Sequence, residues 1–276
     1  MNAAVIQMNS TGDRRANLEQ ARGLLFRAAS QGAELAVLPE HFAFLQAEGR
    51  PFERPEALRG ALLQWLAGQA RQLKMWILGG SFATRRPGKR RVFNTSPLLD
   101  DQGRLVAWYH KIHLFDLTEP GRPALVESAT TCPGRRLVVA DTPLGRLGLS
   151  ICYDLRFPEL YRRLRLMGAQ VLAAPSAFTK ATGQYHWELL VRTRAVENQC
   201  YLLAAAQVGR HAPGREGYGQ AMIVDPWGEI LAQCGTEEPE VVLARVEPRR
   251  VEQVRARLDS TAHARLLPRG WFRKGE

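Results

Sequence analysis

The sequence predicts an α/β fold in which two sheets lie face to face, each backed by helices. Two observations carry this. The first 80 residues alternate strand and helix patterns in the order β-α-β-α-β, which calls for a helix-covered sheet. The rest is strand-rich, with a second set of apolar runs around two further helices. At 276 residues with 45% hydrophobic side chains the chain can build a large core. No internal repeat or low-complexity linker divides it, so one domain is expected over residues 1–257, with a tail over 258–276.

Residues 3–8 read as a strand. Leu18, Ala21, Leu25 and Ala28 share one face of a helix over 13–31, stopped by Gly32. Leu35–Leu38 is a short apolar run ending at Pro39-Glu40. Leu62, Leu63, Leu66, Ala67 and Ala70 mark the next helix, and 75–80 the next strand. Strands follow at 92–99, 104–110, 136–140 and 146–151, separated by turn signals such as Asp101-Gln102-Gly103 and Pro143-Leu144-Gly145. A helix is expected after Cys152, a strand at 170–174 and a helix at 184–198. Strands are then expected near 200–208, 219–225, 229–234 and 241–246, the middle pair joined by Asp225-Pro226-Trp227-Gly228. The tail from Pro248 is Arg-rich and ends in Leu266, Leu267, Trp271 and Phe272; it is expected to pack at an oligomer interface.

Composition narrows the function. No apolar run reaches the ~18 residues of a membrane span, and the N-terminus lacks a signal-peptide pattern, so a cytoplasmic location is expected. Cys132, Cys152, Cys200 and Cys234 form no C-x-x-C pair, so neither a zinc site nor a disulfide framework is expected. The net charge of +11 raises nucleic-acid binding, but the arginines are scattered and no nucleic-acid motif occurs. The run Arg85–Arg91 reads as an exposed hairpin loop. A surface that favours anionic partners is expected, with no specific nucleic acid and no membrane.

Cys152 stands apart from the other cysteines. It ends the apolar run Leu149-Ser150-Ile151 and precedes a polar turn, where a small substrate can reach a thiol. A nucleophilic cysteine needs a base or a positive setting. None of the histidines lies in a Cys-His protease signature. A carboxylate in a dry pocket is the alternative, and Glu40 sits at the carboxyl end of a buried strand, where ligands bind in α/β sheets. By itself a Glu there is a solvated loop residue. Lys111 follows a strand in an apolar setting, in a chain that has five lysines against 33 arginines. Such a lysine either supplies a compact ammonium or snorkels out of the sheet. Glu127 supplies a second carboxylate.

Leu38-Pro39-Glu40, His110-Lys111-Ile112-His113-Leu114-Phe115-Asp116 and Cys152-Tyr153-Asp154-Leu155-Arg156-Phe157-Pro158-Glu159, in that order, resemble the nitrilase, or carbon–nitrogen hydrolase, superfamily across about residues 3–257. The resemblance implies a four-layer α-β-β-α sandwich and a Glu40–Lys111–Cys152 triad hydrolysing an amide through a thioester. It also implies an oxyanion held by Lys111 and the Tyr153 backbone N–H, and a positioning role for Glu127. Pro175–Glu188 is similar to the Nit branch, and Asn198–His211 to its deaminated glutathione amidases. A small amide bearing carboxylates is therefore the expected partner, with no cofactor and with homodimers or larger homo-oligomers. ω-Amidase action on α-ketoglutaramate or α-ketosuccinamate, a carbamoyl-amine hydrolase, a nitrilase and a catalytically silent scaffold are the alternatives. Arg156 would grip a substrate carboxylate or else pair with Glu159 or Asp154; Phe178 and Thr182 would line the pocket or simply pack. The sequence departs from the family at Gln220-Ala221, at Gln184-Tyr185 and in the tail Thr261–Arg265.

Overall fold

A computed structural model describes residues 1–45, 55–118, 125–212 and 215–266. In chain order the elements begin with β1 (Asn2–Met8), α1 (Arg14–Ser30), β2 (Leu35–Val37), α2 (Ala61–Leu73) and β3 (Trp76–Leu78). Then come β4 (Phe82–Thr84), β5 (Phe93–Leu99), β6 (Leu105–His110), the short pair β7 (Asp116–Leu117) and β8 (Leu125–Val126), and α3 (Glu127–Thr130). The second half holds β9 (Val139–Thr142), β10 (Gly145–Leu149), α4 (Pro158–Leu166), β11 (Val171–Ala173) and α5 (Lys180–Asn198). It closes with β12 (Tyr201–Ala204), β13 (Ala206–Ala212), β14 (Arg215–Tyr218), β15 (Met222–Val224), β16 (Ile230–Gln233), β17 (Glu240–Arg245) and α6 (Pro248–Arg257).

The first sheet runs β14-β13-β1-β2-β3-β5-β4, with β17 also on β1 and β6 also on β5; the second runs β16-β15-β12-β11-β10-β9. Each has a parallel centre. Ala4 pairs with Ala36 and Ala36 with Ile77 in one; Gly148 pairs with Leu172 and Leu172 with Leu202 in the other. Side-chain alternation sorts the layers. Ala4, Ile6, Ala36, Leu38 and Ile77 meet the apolar faces of α1 and α2. Val5, Val37 and Leu78 face the opposite way and meet the second sheet, whose other side is covered by α4 and α5 through Leu160, Tyr161, Leu164, Trp187 and Val191. The result is the four-layer α-β-β-α sandwich expected from the sequence.

The single strand expected over 200–208 is two. β12 belongs to the second sheet and β13 to the first, with Ala205 between them. Every residue from Tyr201 to Val208 is buried, and neither a polar residue nor a glycine stands at the crossing itself, Ala204-Ala205-Ala206. The helix expected directly after Cys152 begins instead with a 3₁₀ turn over Cys152–Arg156, and Pro158 starts α4, where a missing N–H costs nothing. The strand placed at 136–140 lies at Val139–Thr142, and α5 begins a turn before 184. The Arg85–Arg91 segment does connect the antiparallel strands β4 and β5 and is largely exposed.

α6 and the residues after it dock on their own chain. Leu258 O accepts from Gln199 Nε2, Arg165 pairs with Asp259 at 3.5 Å, and Arg162 Nη1 donates to Thr261 Oγ1 at 2.6 Å. The expected apolar end of the tail at Leu267, Trp271 and Phe272 lies outside the described residues. No helix among the described residues is long and apolar enough to cross a membrane.

Gly80 fixes the loop that follows β2. Its φ is +53°, and a Cβ there would stand 2.1 Å from Pro39 O, one residue before Glu40. Left-handed backbone and backbone overlap act together. Gly80→Ala is expected to lower stability by about 2 kcal/mol or more, read as a fall in Tm in a thermal melt. An unchanged Tm would show that this loop has room to yield.

Candidate active site

Four of the predicted residues converge. Glu40 follows β2, Lys111 follows β6, Glu127 opens α3 and Cys152 opens the turn after β10. Glu40, Lys111 and Cys152 are 3%, 2% and 8% exposed. Lys111 Nζ donates to Glu40 Oε1 at 2.9 Å and to Glu127 Oε2 at 2.8 Å. The Cys152 thiol lies close enough to the Glu40 carboxylate and the Lys111 ammonium for both charges to act on it.

The electrostatics follow from charge count and burial. Burial pushes the Glu40 carboxyl up, but the Lys111 ammonium outweighs this and holds it well below the usual carboxylate range. His41 is 3.9 Å away and is pushed by burial down to about 4, so it is neutral at pH 7 and the holding charge is Lys111. Burial pulls the Lys111 ammonium down, yet Glu127 and Glu40 together raise it well above 10.5. Burial first, then the Glu40 carboxylate, raise the Cys152 thiol well above 9.0 despite the lysine. A thiolate would be a third negative charge beside a single ammonium. At rest the site holds an ionised Glu40, a charged Lys111 and a neutral thiol.

Several side chains that sequence reasoning passed over hold this arrangement. Asn94, on β5 and 1% exposed, donates from Nδ2 to Glu40 Oε1 at 2.9 Å and reaches Glu127 Oε1 at 3.5 Å; its backbone carbonyl accepts the Lys111 N–H at 2.9 Å. Gln207 Nε2 donates to the Glu40 carbonyl at 2.9 Å and to Ser10 Oγ at 2.8 Å. Asp154 is fully buried and accepts four hydrogen bonds, from Tyr109 OH at 2.8 Å, Ile151 N at 2.9 Å, His113 N at 3.1 Å and His113 Nδ1 at 2.7 Å. It ties the loop carrying Lys111 to the turn carrying Cys152. His113 also stacks on Phe157, with ring centroids 3.6 Å apart. A polar residue inside an apolar run was the available signal for Gln207, whereas Asn94 stands in the polar run Asn94-Thr95-Ser96 and gave none.

Cys152 has a φ of 47°, rare for a residue with a Cβ, and so does His41 beside Glu40, at 57°. The Cys152 N–H donates to Pro175 O at 3.0 Å, which pins the elbow to the strand next door. The Tyr153 N–H has no partner among the described residues. The Tyr153 ring meets Phe115 and Phe157 edge-on at 5.1 and 5.4 Å. Arg156 pairs with neither Glu159 nor Asp154. Its guanidinium lies 5.8 Å from the Tyr153 ring and 5.5 Å from the Phe178 ring, with His186 Nδ1 at 3.4 Å. Phe178 in turn packs on Trp187 at 5.0 Å. Thr182 Oγ1 is 3.1 Å from Thr179 Oγ1. Of the departures from the family pattern, Gln220 offers its carbonyl to Trp187 Nε1 at 2.7 Å and Ala221 is buried, whereas Gln184 and Tyr185 are exposed on α5. Cys200 is a buried small side chain whose sulfur faces Ala169 O and Asn198 O, each at 3.2 Å. Among the described residues no group of three or more His, Cys, Asp or Glu side chains is arranged to hold a metal ion.

Residues 2–256 match the carbon-nitrogen hydrolase family, and the chain belongs to it. It hydrolyses carbon–nitrogen bonds other than peptide bonds. A deaminated glutathione amidase of Synechocystis is 44% identical over 264 residues, covering 95% of this chain and 97% of that protein. The human deaminated glutathione amidase is 42% identical over 267 residues, covering 95% of this chain and 81% of that one. Nit3 of Saccharomyces cerevisiae, described as a member of branch 10 of the nitrilase superfamily, superposes with a TM-score of 0.82 at 32% identity, covering 95% of each chain.

The pairing of Glu40 with Lys111 has a stability consequence. Because the folded-state Glu40 carboxyl lies below its unfolded value of 4.5, its contribution is present in full above that pH and is lost as the pH falls through the folded value. Glu40→Gln is expected to cost about 3 kcal/mol at pH 7 in urea denaturation. The gap to the wild type should narrow progressively below pH 4.5. A gap that stays constant down to pH 3 would contradict the assignment.

Proposed function

We propose that the chain is a cysteine-dependent amidase that splits a small, carboxylate-bearing linear amide, deaminated glutathione, into acid and ammonia. The observation that carries this reading is the buried contact of Cys152, Glu40 and Lys111 in a chain 44% identical to a deaminated glutathione amidase.

In this reading Glu40 takes the thiol proton as Cys152 Sγ attacks the amide carbon. A carboxylate held so low is a poor base for a thiol held so high, so proton transfer runs together with carbon–sulfur bond formation. The negative charge passes to the amide oxygen, where Lys111 Nζ and the unpaired Tyr153 N–H receive it. The tetrahedral adduct collapses, Glu40 returns its proton to the nitrogen, and ammonia leaves a Cys152 thioester. Glu40 then takes a proton from water, whose oxygen attacks the thioester; the acid departs and the thiol is restored. Glu127 and Asn94 touch neither sulfur nor amide in this scheme and act as positioning residues for Lys111 and Glu40. No cofactor is invoked.

Arg156 is the group suited to a substrate carboxylate. Aromatic faces flank its guanidinium, no acid among the described residues pairs with it, and it follows Cys152 by four residues. Phe178 forms the wall beneath it, and Thr182 lies on the adjoining turn of α5. Ammonia release is expected to be faster from deaminated glutathione than from α-ketoglutaramate and absent in Cys152→Ala. Faster release from α-ketoglutaramate would reassign the substrate. Arg156→Ala is expected to raise KM by about tenfold or more with little change in kcat. An unchanged KM would remove Arg156 from substrate recognition.

We also propose that the chain assembles as a homo-oligomer through α5. Tyr185, Leu189 and Val196 are 71%, 64% and 47% exposed there, an apolar stripe that a lone chain would leave wet. Leu189→Glu is expected to shift the protein to monomer in sedimentation velocity. An unchanged mass would place the interface elsewhere.

A further inference from the structure

A second concavity, of about 650 Å³, lies along β6 and is not part of the site built around Cys152. Strand alternation creates it. Ala107 and Tyr109 face the core between the sheets, whereas Val106 and Trp108 face outward, each 42% exposed. Around them stand Arg86, Arg91, Arg135 and Arg136, and no aspartate or glutamate among the described residues lines the space. Arg86 and Arg91 are oriented by their neighbours. Arg86 lies 5.7 Å from the Phe93 ring centroid and donates to Cys132 Sγ at 3.2 Å, and Arg91 donates to Ser128 O at 3.1 Å. Arg135 and Arg136 are exposed and form no ion pair among the described residues. Four guanidiniums without a carboxylate repel one another and remain in place only at a cost, which a bound anion would remove. The amidase reaction makes no use of them.

The occupant must satisfy three features together. The arginines call for a strong, multiply accepting anion, and phosphate fits the guanidinium fork better than a lone carboxylate does. The partly exposed indole of Trp108, which lines the groove, calls for a flat ring to stack on it. The volume is that of a small-molecule site and holds one such unit rather than a strand of them. We propose that this groove binds a mononucleotide, with its phosphate on Arg135 and Arg136 and its base against Trp108. The floor of the groove is tied to the catalytic strand. The Gly134 N–H donates to Lys111 O at 2.7 Å, and a Cβ on Gly134 would stand 2.1 Å from His110 O. The bound nucleotide would therefore lie against the main chain that ends in Lys111. The proposal does not depend on which amide the enzyme cleaves.

Calorimetric titration of the full chain with adenosine 5′-monophosphate, at ~0.15 M salt so that diffuse attraction is screened, tests it. Saturable binding at one per chain is expected, with adenosine and inorganic phosphate each binding on the order of tenfold more weakly. The Arg135→Ala/Arg136→Ala variant should lose on the order of tenfold in affinity, and Trp108→Ala should lose the preference for the nucleotide over phosphate. Both arginines are exposed and outside the amidase machinery, so ammonia release by the double variant should match the wild type and report an intact fold. Absence of nucleotide binding at millimolar concentration overturns the proposal. So does an affinity that the double variant leaves unchanged, or binding of a single-stranded oligonucleotide without binding of the mononucleotide.

Discussion

The Lys111 ammonium sits out of water between two carboxylates, 2.9 Å from Glu40 and 2.8 Å from Glu127, and the chemistry of the site depends on that one cation. Three ionisable groups share a space that solvent barely reaches, and the lysine can offset only one of the two acids at full strength. Burial and the residual negative charge together keep Cys152 protonated, while the lysine keeps Glu40 ionised. An isolated pair buried this deeply gives little net stability, because desolvation consumes most of the Coulomb gain. Here the same burial makes the ammonium a strong partner for any negative charge that develops beside it, which is the condition for oxyanion stabilisation.

Holding three loops from different strands to within hydrogen-bond distance requires stiffness, and the surrounding polar groups supply it. Gly80 lets the Pro39-Glu40 turn approach the neighbouring strand, and Gln207 fixes that turn from the other side. Asp154 spends all four of its hydrogen bonds joining the Lys111 loop to the Cys152 turn. The left-handed conformations of His41 and Cys152 are strained positions flanking or carrying the proposed catalytic groups, held by bonds such as Cys152 N–H to Pro175 O. Stability elsewhere in the sandwich, from its two continuous apolar layers, sustains this local cost.

Much of the fold was legible because helices and strands print different periods. α1, α2 and the strands of both parallel centres follow from apolar spacing, and the position of Glu40 after β2 and Cys152 after β10 follows with them. The break between β12 and β13 was not legible, since the crossing Ala204-Ala205-Ala206 is apolar and buried like the strands on either side of it. α6 was read as an Arg-rich tail because only Val251 and Val254 of its ten residues are buried. Within the site, Glu40, Lys111, Cys152 and Glu127 stood out through order and spacing along the chain. Asn94, Gln207 and Asp154 did not, because each acts through contacts with residues between 3 and 197 positions away, which no local pattern encodes. The surroundings of Arg156 were equally invisible. Sequence left a substrate carboxylate, Glu159 or Asp154 as its partner, and only the fold shows Asp154 fully occupied elsewhere.

The proposed chemistry turns on the protonation state that Lys111 and its two carboxylates impose on the Cys152 thiol. Thiolate absorbance near 240 nm, taken as the difference between the wild type and Cys152→Ser across pH 6 to 9, reads that state directly. A neutral resting thiol gives no difference signal over this range, with thiolate appearing only in a variant that removes the Glu40 charge, such as Glu40→Gln. A full thiolate signal at pH 7 in the wild type would mean that Cys152 rests as an ion pair with Lys111, and would contradict the central role given to Glu40.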